Sequence, residues 1–217
     1  MTGLCFSATI LPVATKHSST KKSILRIIGG KWRGRKISFI PFEQLRPTTD
    51  ATRETLFNWL SPHIVGANCL DMFAGSGALG FEALSRGAEH VTMVDTSRKI
   101  IEQLRKNAKL LQTDTVNFHW ARMPERLNGI PEQKFDIIFI DPPFHFGLVK
   151  LSCTKLENSS YLHDHTLIYI ECERDLPVKD ILAPLWQILR EKKSGLTGSY
   201  LCRRDCPVKP GNDERGQ

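Results

Sequence analysis

No run of residues in this 217-residue chain is long and apolar enough to cross a bilayer. The opening stretch, Met1 to Val13, is mildly apolar. It has no lysine or arginine ahead of it, is broken by Pro12, and runs into polar, basic Thr15 to Lys22. A secretory signal needs a basic lead, so this segment reads as a disordered leader. Paired cysteines are missing too. The six cysteines (Cys5, Cys69, Cys153, Cys172, Cys202 and Cys206) form no CxxC ladder, which removes a zinc ribbon or a disulfide framework from consideration. Cys69, Cys172 and Cys202 sit in apolar runs and read as buried, reduced thiols of a cytosolic protein. His63, His90, His119, His145, His163 and His165 lack ligand spacing with cysteines or carboxylates, so no metal site is expected.

What is present is ordinary globular composition with a basic excess. Hydrophobic residues make up 41% and charged residues 24%, which argues against wholesale disorder. The length suits one α/β domain with short extensions. A formal net charge of +7 favours polyanionic partners.

Along the chain, Ser23 to Ile40 reads as a small β-hairpin, with turns from Gly29-Gly30 and Gly34. Between its strands Lys31, Arg33, Arg35 and Lys36 surround the indole of Trp32. Cations around an aromatic ring suit RNA, by phosphate contact and base stacking, although a run of charge is also a common solvated face. Pro41 to Pro47 reads as a linker, and Asp50 as the N-cap of a helix ending near Leu60. Strands then alternate with helices. Strands are expected at Cys69 to Phe73, His90 to Val94, Val116 to Trp120, Phe135 to Ile140 and Thr166 to Cys172. Helices are expected from the glycine turn to about Arg86 and over 97–111. Trp186 to Arg190 and Ser199 to Arg203 would close the sheet as an antiparallel pair. Near-continuous apolar strands between amphipathic helices indicate an α/β fold with a mainly parallel sheet covered on both faces. The expected organisation is a leader over 1–22, a basic hairpin over 23–45, the catalytic domain over 46–205 and a polar, disordered tail over 206–217.

Such sheets bind ligands at the carboxyl ends of their strands. There, Asp71 precedes Gly75-Ser76-Gly77-Ala78-Leu79-Gly80, which fits the spacing GxGxxG and permits a tight turn and close ligand approach. Asp95 ends the next strand, placed either for ribose hydroxyls or as a cap for the following helix with Thr96 and Ser97. These features fit NAD or S-adenosylmethionine. Asp141-Pro142-Pro143-Phe144 separates the two. Two prolines after a strand fix the backbone and remove two N–H donors, leaving carbonyls and one carboxylate. That acceptor-only site suits an amino group, and Phe144 offers a flat face to a base. Glu171 and Glu173 edge the same cleft or lie on the surface.

Asp71 to Gly80 and Asp141 to Phe144 resemble the motifs of amino-methyltransferases acting on nucleic acid bases. Together with Arg26 to Gly30, Trp32 to Lys36, Leu45 to Asp50 and Arg53 to Leu60, they resemble the bacterial 16S ribosomal RNA guanine-N2 methyltransferase family RsmD over roughly residues 24–204. The resemblance implies a Rossmann-like, seven-stranded methyltransferase sheet behind the hairpin and S-adenosylmethionine as cofactor. It further implies 16S ribosomal RNA or the small ribosomal subunit as partner, in the cytoplasm, without a membrane. It places the methionine part of the cofactor on Asp71, Phe73, Ala74, Gly75, Ser76 and Gly77, and the ribose on Asp95. Thr48, Thr96, Arg122 and Met123 are further cofactor candidates. Asp141 and the Pro142 carbonyl would hold the target amino group, with Pro143 and Phe144 completing the catalytic motif. Lys31, Trp32, Arg33, Arg35 and Lys36 would touch RNA. The segment Arg46 to Asn58 would close over the cofactor. Arg122 departs from the expected pattern, because an arginine cannot accept a hydrogen bond from adenine. The remaining alternatives are adenine N6 methylation, an NAD-linked oxidoreductase and a silent RNA-binding scaffold. Nothing marks a subunit interface, and a monomer is expected.

Overall fold

The computed structural model describes residues 23–41, 49–182 and 186–204. Thr48, Arg46, the leader and the tail lie outside these residues. A two-stranded hairpin, β1 (Ser23–Arg26) and β2 (Lys36–Phe39), comes first. Helix α1 (Asp50–Leu60) follows, then β3 (Asn68–Asp71), α2 (Ala78–Ser85), β4 (His90–Asp95), α3 (Arg98–Leu111), β5 (Val116–Trp120) and β6 (Ile137–Ile140). The chain continues through α4 (Leu148–Glu157), β7 (Leu167–Glu173), the short α5 (Val178–Ile181), β8 (Trp186–Ser194) and β9 (Thr197–Arg204). The main sheet has seven strands in the order β5-β4-β3-β6-β7-β9-β8. Strands β3 to β7 are parallel, and β9 inserts antiparallel between β7 and β8. Strand order reverses between β3 and β6, so a crevice opens at their carboxyl ends, which carry Asp71 and Asp141.

Each face of the sheet has its own core. Phe57, Phe81, Leu104, Phe139 and Tyr169 share one with Leu25, Ile27, Trp32, Ile37 and Phe39 of the hairpin. Leu70, Met72, Ile138, Ile140, Cys153 and Leu156 belong to the other. The hairpin is therefore built onto the α1–α2–α3 face. Polar contacts fix it there. The Ile28 amide donates to Glu82 Oε2 at 2.9 Å, and the Trp32 amide to Ser85 Oγ at 2.9 Å. Asn107 of α3 exchanges two hydrogen bonds with the backbone of Ser38, at 2.8 and 3.3 Å. Gly30 is required at the tip. It has φ +73°, and a Cβ there would fall 1.8 Å from the Ser85 carbonyl oxygen.

Two details depart from expectation. Helix α1 is capped by Thr49, whose side chain accepts from the Thr52 amide, while Asp50 lies in the first turn and pairs with Arg53 at 2.6 Å. Helix α4 was not foreseen. It starts after Gly147 in the left-handed conformation with no side-chain cap, and its buried stripe is Val149, Ser152, Cys153 and Leu156, half of it not aliphatic.

Candidate active site

The glycine turn after β3 is held in a fixed shape. The Ala74 amide donates to the Val94 carbonyl at 2.9 Å and the Gly77 amide to the Ala74 carbonyl at 2.7 Å. Gly77 has φ +79°, and a Cβ there would meet Leu104 and Phe81 at 2.6 and 2.7 Å. A Cβ on Gly80 would fall 2.3 Å from Met93 Cε. Gly77 is thus needed by turn geometry independently of any ligand, while a side chain at Gly80 would require Met93 to move.

Asp71 lies beneath this turn, 1% exposed, and its Oδ1 is buried with no hydrogen-bond partner among the described residues. Burial raises its carboxyl to about 7, against the lowering effect of the Phe73 and Gly80 amides. A buried acceptor left open is costly. A cationic or N–H-bearing ligand group in the crevice would relieve that cost. Asp95 is also lifted by burial, but both oxygens are engaged: Oδ2 accepts from the Gly75 amide at 3.0 Å and Oδ1 from the Ser97 amide at 2.8 Å. It does not cap α3, a role taken by Ser97. Its position at the mouth of the turn, with lone pairs remaining on each oxygen, suits ribose hydroxyls. Phe73 and Gly75 are half-buried, Ala74, Ser76 and Gly77 buried, and Thr96 exposed. The Arg122 side chain is exposed, whereas Met123 is buried against Leu70, Met72 and Val94.

On the other side of the switch, Asp141 follows β6 and is half-buried, Pro142 is buried, Pro143 exposed and Phe144 half-buried. The loop beyond is tied to the neighbouring strand, because the His145 amide donates to the Glu173 carboxylate. Glu173 thereby holds the Asp-Pro-Pro-Phe loop against the end of β7. Glu171, one pair earlier, is 7% exposed and accepts from the Tyr169 hydroxyl at 2.8 Å. The crevice thus brings together Asp71, the glycine turn, Asp95, Asp141 and Glu171. Glu173 could be found in the sequence only as a carboxylate at a strand end.

The hairpin tip lies elsewhere. It rests against Ser85 and Leu110, at the far ends of α2 and α3 from the crevice. The Trp32 ring is 7% exposed and part of the core, so the expectation that it stacks on RNA bases is corrected: a base cannot reach it. Arg35 donates to the Leu110 carbonyl at 2.6 Å, a cation at a helix C-terminus. Lys31, Arg33 and Lys36 are exposed, with the Lys31 ammonium 4.5 Å from the Trp32 ring centroid. The exposed indole is Trp120 at the end of β5, 64% accessible, with its N–H fixed on the Thr96 carbonyl at 2.9 Å.

A family model described as conserved hypothetical protein 95 matches residues 25–203. The chain is 42% identical over 188 residues to the ribosomal RNA small subunit methyltransferase D of Haemophilus influenzae, covering 83% of this chain and 94% of that one. It is 44% identical over 183 residues to the protein of the same name from Escherichia coli, covering 83% and 90%. Among solved structures, a putative methyltransferase yhhF from Escherichia coli is similar with a TM-score of 0.75 at 42% identity, covering 85% of this chain and all 100% of that one. The Thermus thermophilus 16S rRNA N2 G1207 methyltransferase RsmC, solved with AdoMet and guanosine, shares the fold at a TM-score of 0.65 and 21% identity, covering 86% of this chain and 50% of that one.

Proposed function

The chain belongs to the family described as conserved hypothetical protein 95, and on that premise we propose that it transfers a methyl group from S-adenosylmethionine to the exocyclic N2 amino group of a guanine in 16S ribosomal RNA. The observation that carries the reading is the pairing, across one topological switch, of an open buried carboxylate at Asp71 with an acceptor-only loop at Asp141–Phe144. The first suits a cofactor with a cationic amino acid end. The second suits an amino group, and a hydride-transfer enzyme has no use for it.

The bound cofactor supplies an electrophilic methyl group on a sulfonium centre. Asp71 and the backbone of Phe73 to Gly77 hold its methionine end, Asp95 its ribose and Met123 the apolar side of its adenine. Asp141 and the Pro142 carbonyl accept the two amino hydrogens of the target. Guanine N2 is a poor nucleophile because its lone pair is delocalised into the ring. Two fixed acceptors favour the pyramidal geometry in which that pair localises and positive charge develops. A strong base is not required, because the nitrogen becomes acidic as the methyl group arrives. Phe144 packs against the base, which must leave its helix to reach the crevice. Lys31, Arg33 and Lys36 supply phosphate contacts remote from the chemistry. The protein acts as a monomer in the cytoplasm on the small subunit or its precursor.

The test is methyl transfer from labelled S-adenosylmethionine to small subunits lacking the modification, followed by nucleoside analysis. Label in N2-methylguanosine is expected. Label in N6-methyladenosine, or none despite cofactor binding, overturns the reading.

A further inference from the structure

We propose that Glu171 is the residue that selects guanine, by accepting the ring N1–H beside the amino group held at Asp141. This rests on the reading of the crevice as a guanine-N2 site. Strands β6 and β7 run parallel in register, with Phe139 opposite Tyr169 and Ile140 opposite Ile170. The residues next in line are Asp141 and Glu171. Side chains alternate along a strand, and Phe139 and Tyr169 both face the α1 core, so Asp141 and Glu171 emerge on that same face at the sheet's carboxyl edge. The Asp141 charge bears on the Tyr169 hydroxyl, as does that of Glu171, so both carboxylates lie near one phenol.

Glu171 is held for a purpose that packing does not explain. Tyr169, fully buried, donates to its Oε2 at 2.8 Å, and the same hydroxyl lies 3.2 Å from Ser199 Oγ on β9. Glu171 Oε1 has no hydrogen-bond partner among the described residues. An oriented carboxylate with one oxygen occupied and the other open, beside an acceptor pair, matches the Watson–Crick edge of guanine. That edge presents adjacent N1–H and N2–H donors. Adenine presents an acceptor at N1, which would face a carboxylate with no shared hydrogen. A site that pairs a substrate N–H rejects analogues lacking it far more strongly than an apolar pocket can.

The test uses small subunits carrying either guanosine or 2-aminopurine at the mapped target. 2-Aminopurine keeps the amino group but has an acceptor at N1. Wild type should prefer guanosine by about 100-fold or more in kcat/KM. In Glu171→Gln the Tyr169 hydroxyl keeps the amide oxygen and turns the NH2 group toward the base. Its preference should shrink to within about tenfold, or reverse, with S-adenosylmethionine affinity unchanged. Tyr169→Phe, which releases Glu171 without touching the base, should lose part of the preference. Unaltered cofactor binding in both variants shows that they fold. If Glu171→Gln retains the full wild-type preference, the assignment is wrong while the methyltransferase reading stands. If wild type puts no label into N2-methylguanosine, the underlying reading fails instead.

Discussion

Asp71 and Glu82 are both fully buried acids on the same βα unit, and the protein treats them in opposite ways. Glu82 is surrounded: Arg86 donates to it at 2.8 Å, Arg53 lies 3.5 Å away and the Ile28 amide donates at 2.9 Å. Asp71 has an oxygen with no partner among the described residues. The first carboxylate locks the hairpin to α1 and α2. The second stands at the crevice with unused capacity. Burial of charge alone does not mark a functional site; burial of charge without compensation does.

The contrast can be broken from either side. Glu82→Ala should have the biggest effect, leaving Arg86 without its carboxylate partner and buried Arg53 with Asp50 alone, and costing about 3–5 kcal/mol in denaturant unfolding. The folded fraction should keep its kcat. Asp141→Ala should do the reverse, lowering kcat by roughly 10²–10³-fold with cofactor affinity and melting temperature nearly unchanged. Asp71→Asn sharpens the comparison through pH. Because its folded value of about 7 lies above the ordinary 3.8, the cofactor-free fold loses stability as pH rises between those values and has lost it fully above 7. The variant should therefore be more stable than wild type at pH 8, by about 2–4 kcal/mol, and equal to it near pH 4. It should bind S-adenosylmethionine at least about tenfold more weakly. In wild type, cofactor affinity should strengthen as pH rises through 7, as seen by calorimetry at several pH values. The smallest effect is expected from Lys31→Ala with Arg33→Ala. Each should reduce the slope of log RNA affinity against log salt by about 1 and leave catalysis on bound RNA intact.

Much of the sheet was legible because parallel strands buried on both faces are written as unbroken apolar runs, as in Ile137–Ile140. The Asp141–Phe144 loop stood out as a candidate because two adjacent prolines after a strand have few other uses. Trp32 was misread for a physical reason. A ring among cations has the same local sequence whether it faces solvent or is pressed onto a helix, and only its burial in the core shared with α1, α2 and α3 decides. Helix α4 was missed because its cap is a left-handed glycine without a capping side chain. The carboxylates of β7 could be seen but not assigned, since their meaning depends on pairing with β6, some thirty residues earlier.

β9 (Thr197–Arg204) is the last described strand in the chain, yet it lies inside the sheet, between β7 and β8. During synthesis, chains emerge amino end first. Until β9 is made, the strand bearing Glu171 and Glu173 has a naked edge, and Tyr169 has no Ser199 beside it. A nascent chain that stalls after β7 holds Asp71, the glycine turn and Asp95 but lacks the strand that flanks Glu171. Addition of β9 therefore closes the β7 edge and brings Ser199 to the Tyr169 hydroxyl in one step, so a single late strand finishes both the sheet and the setting of Glu171.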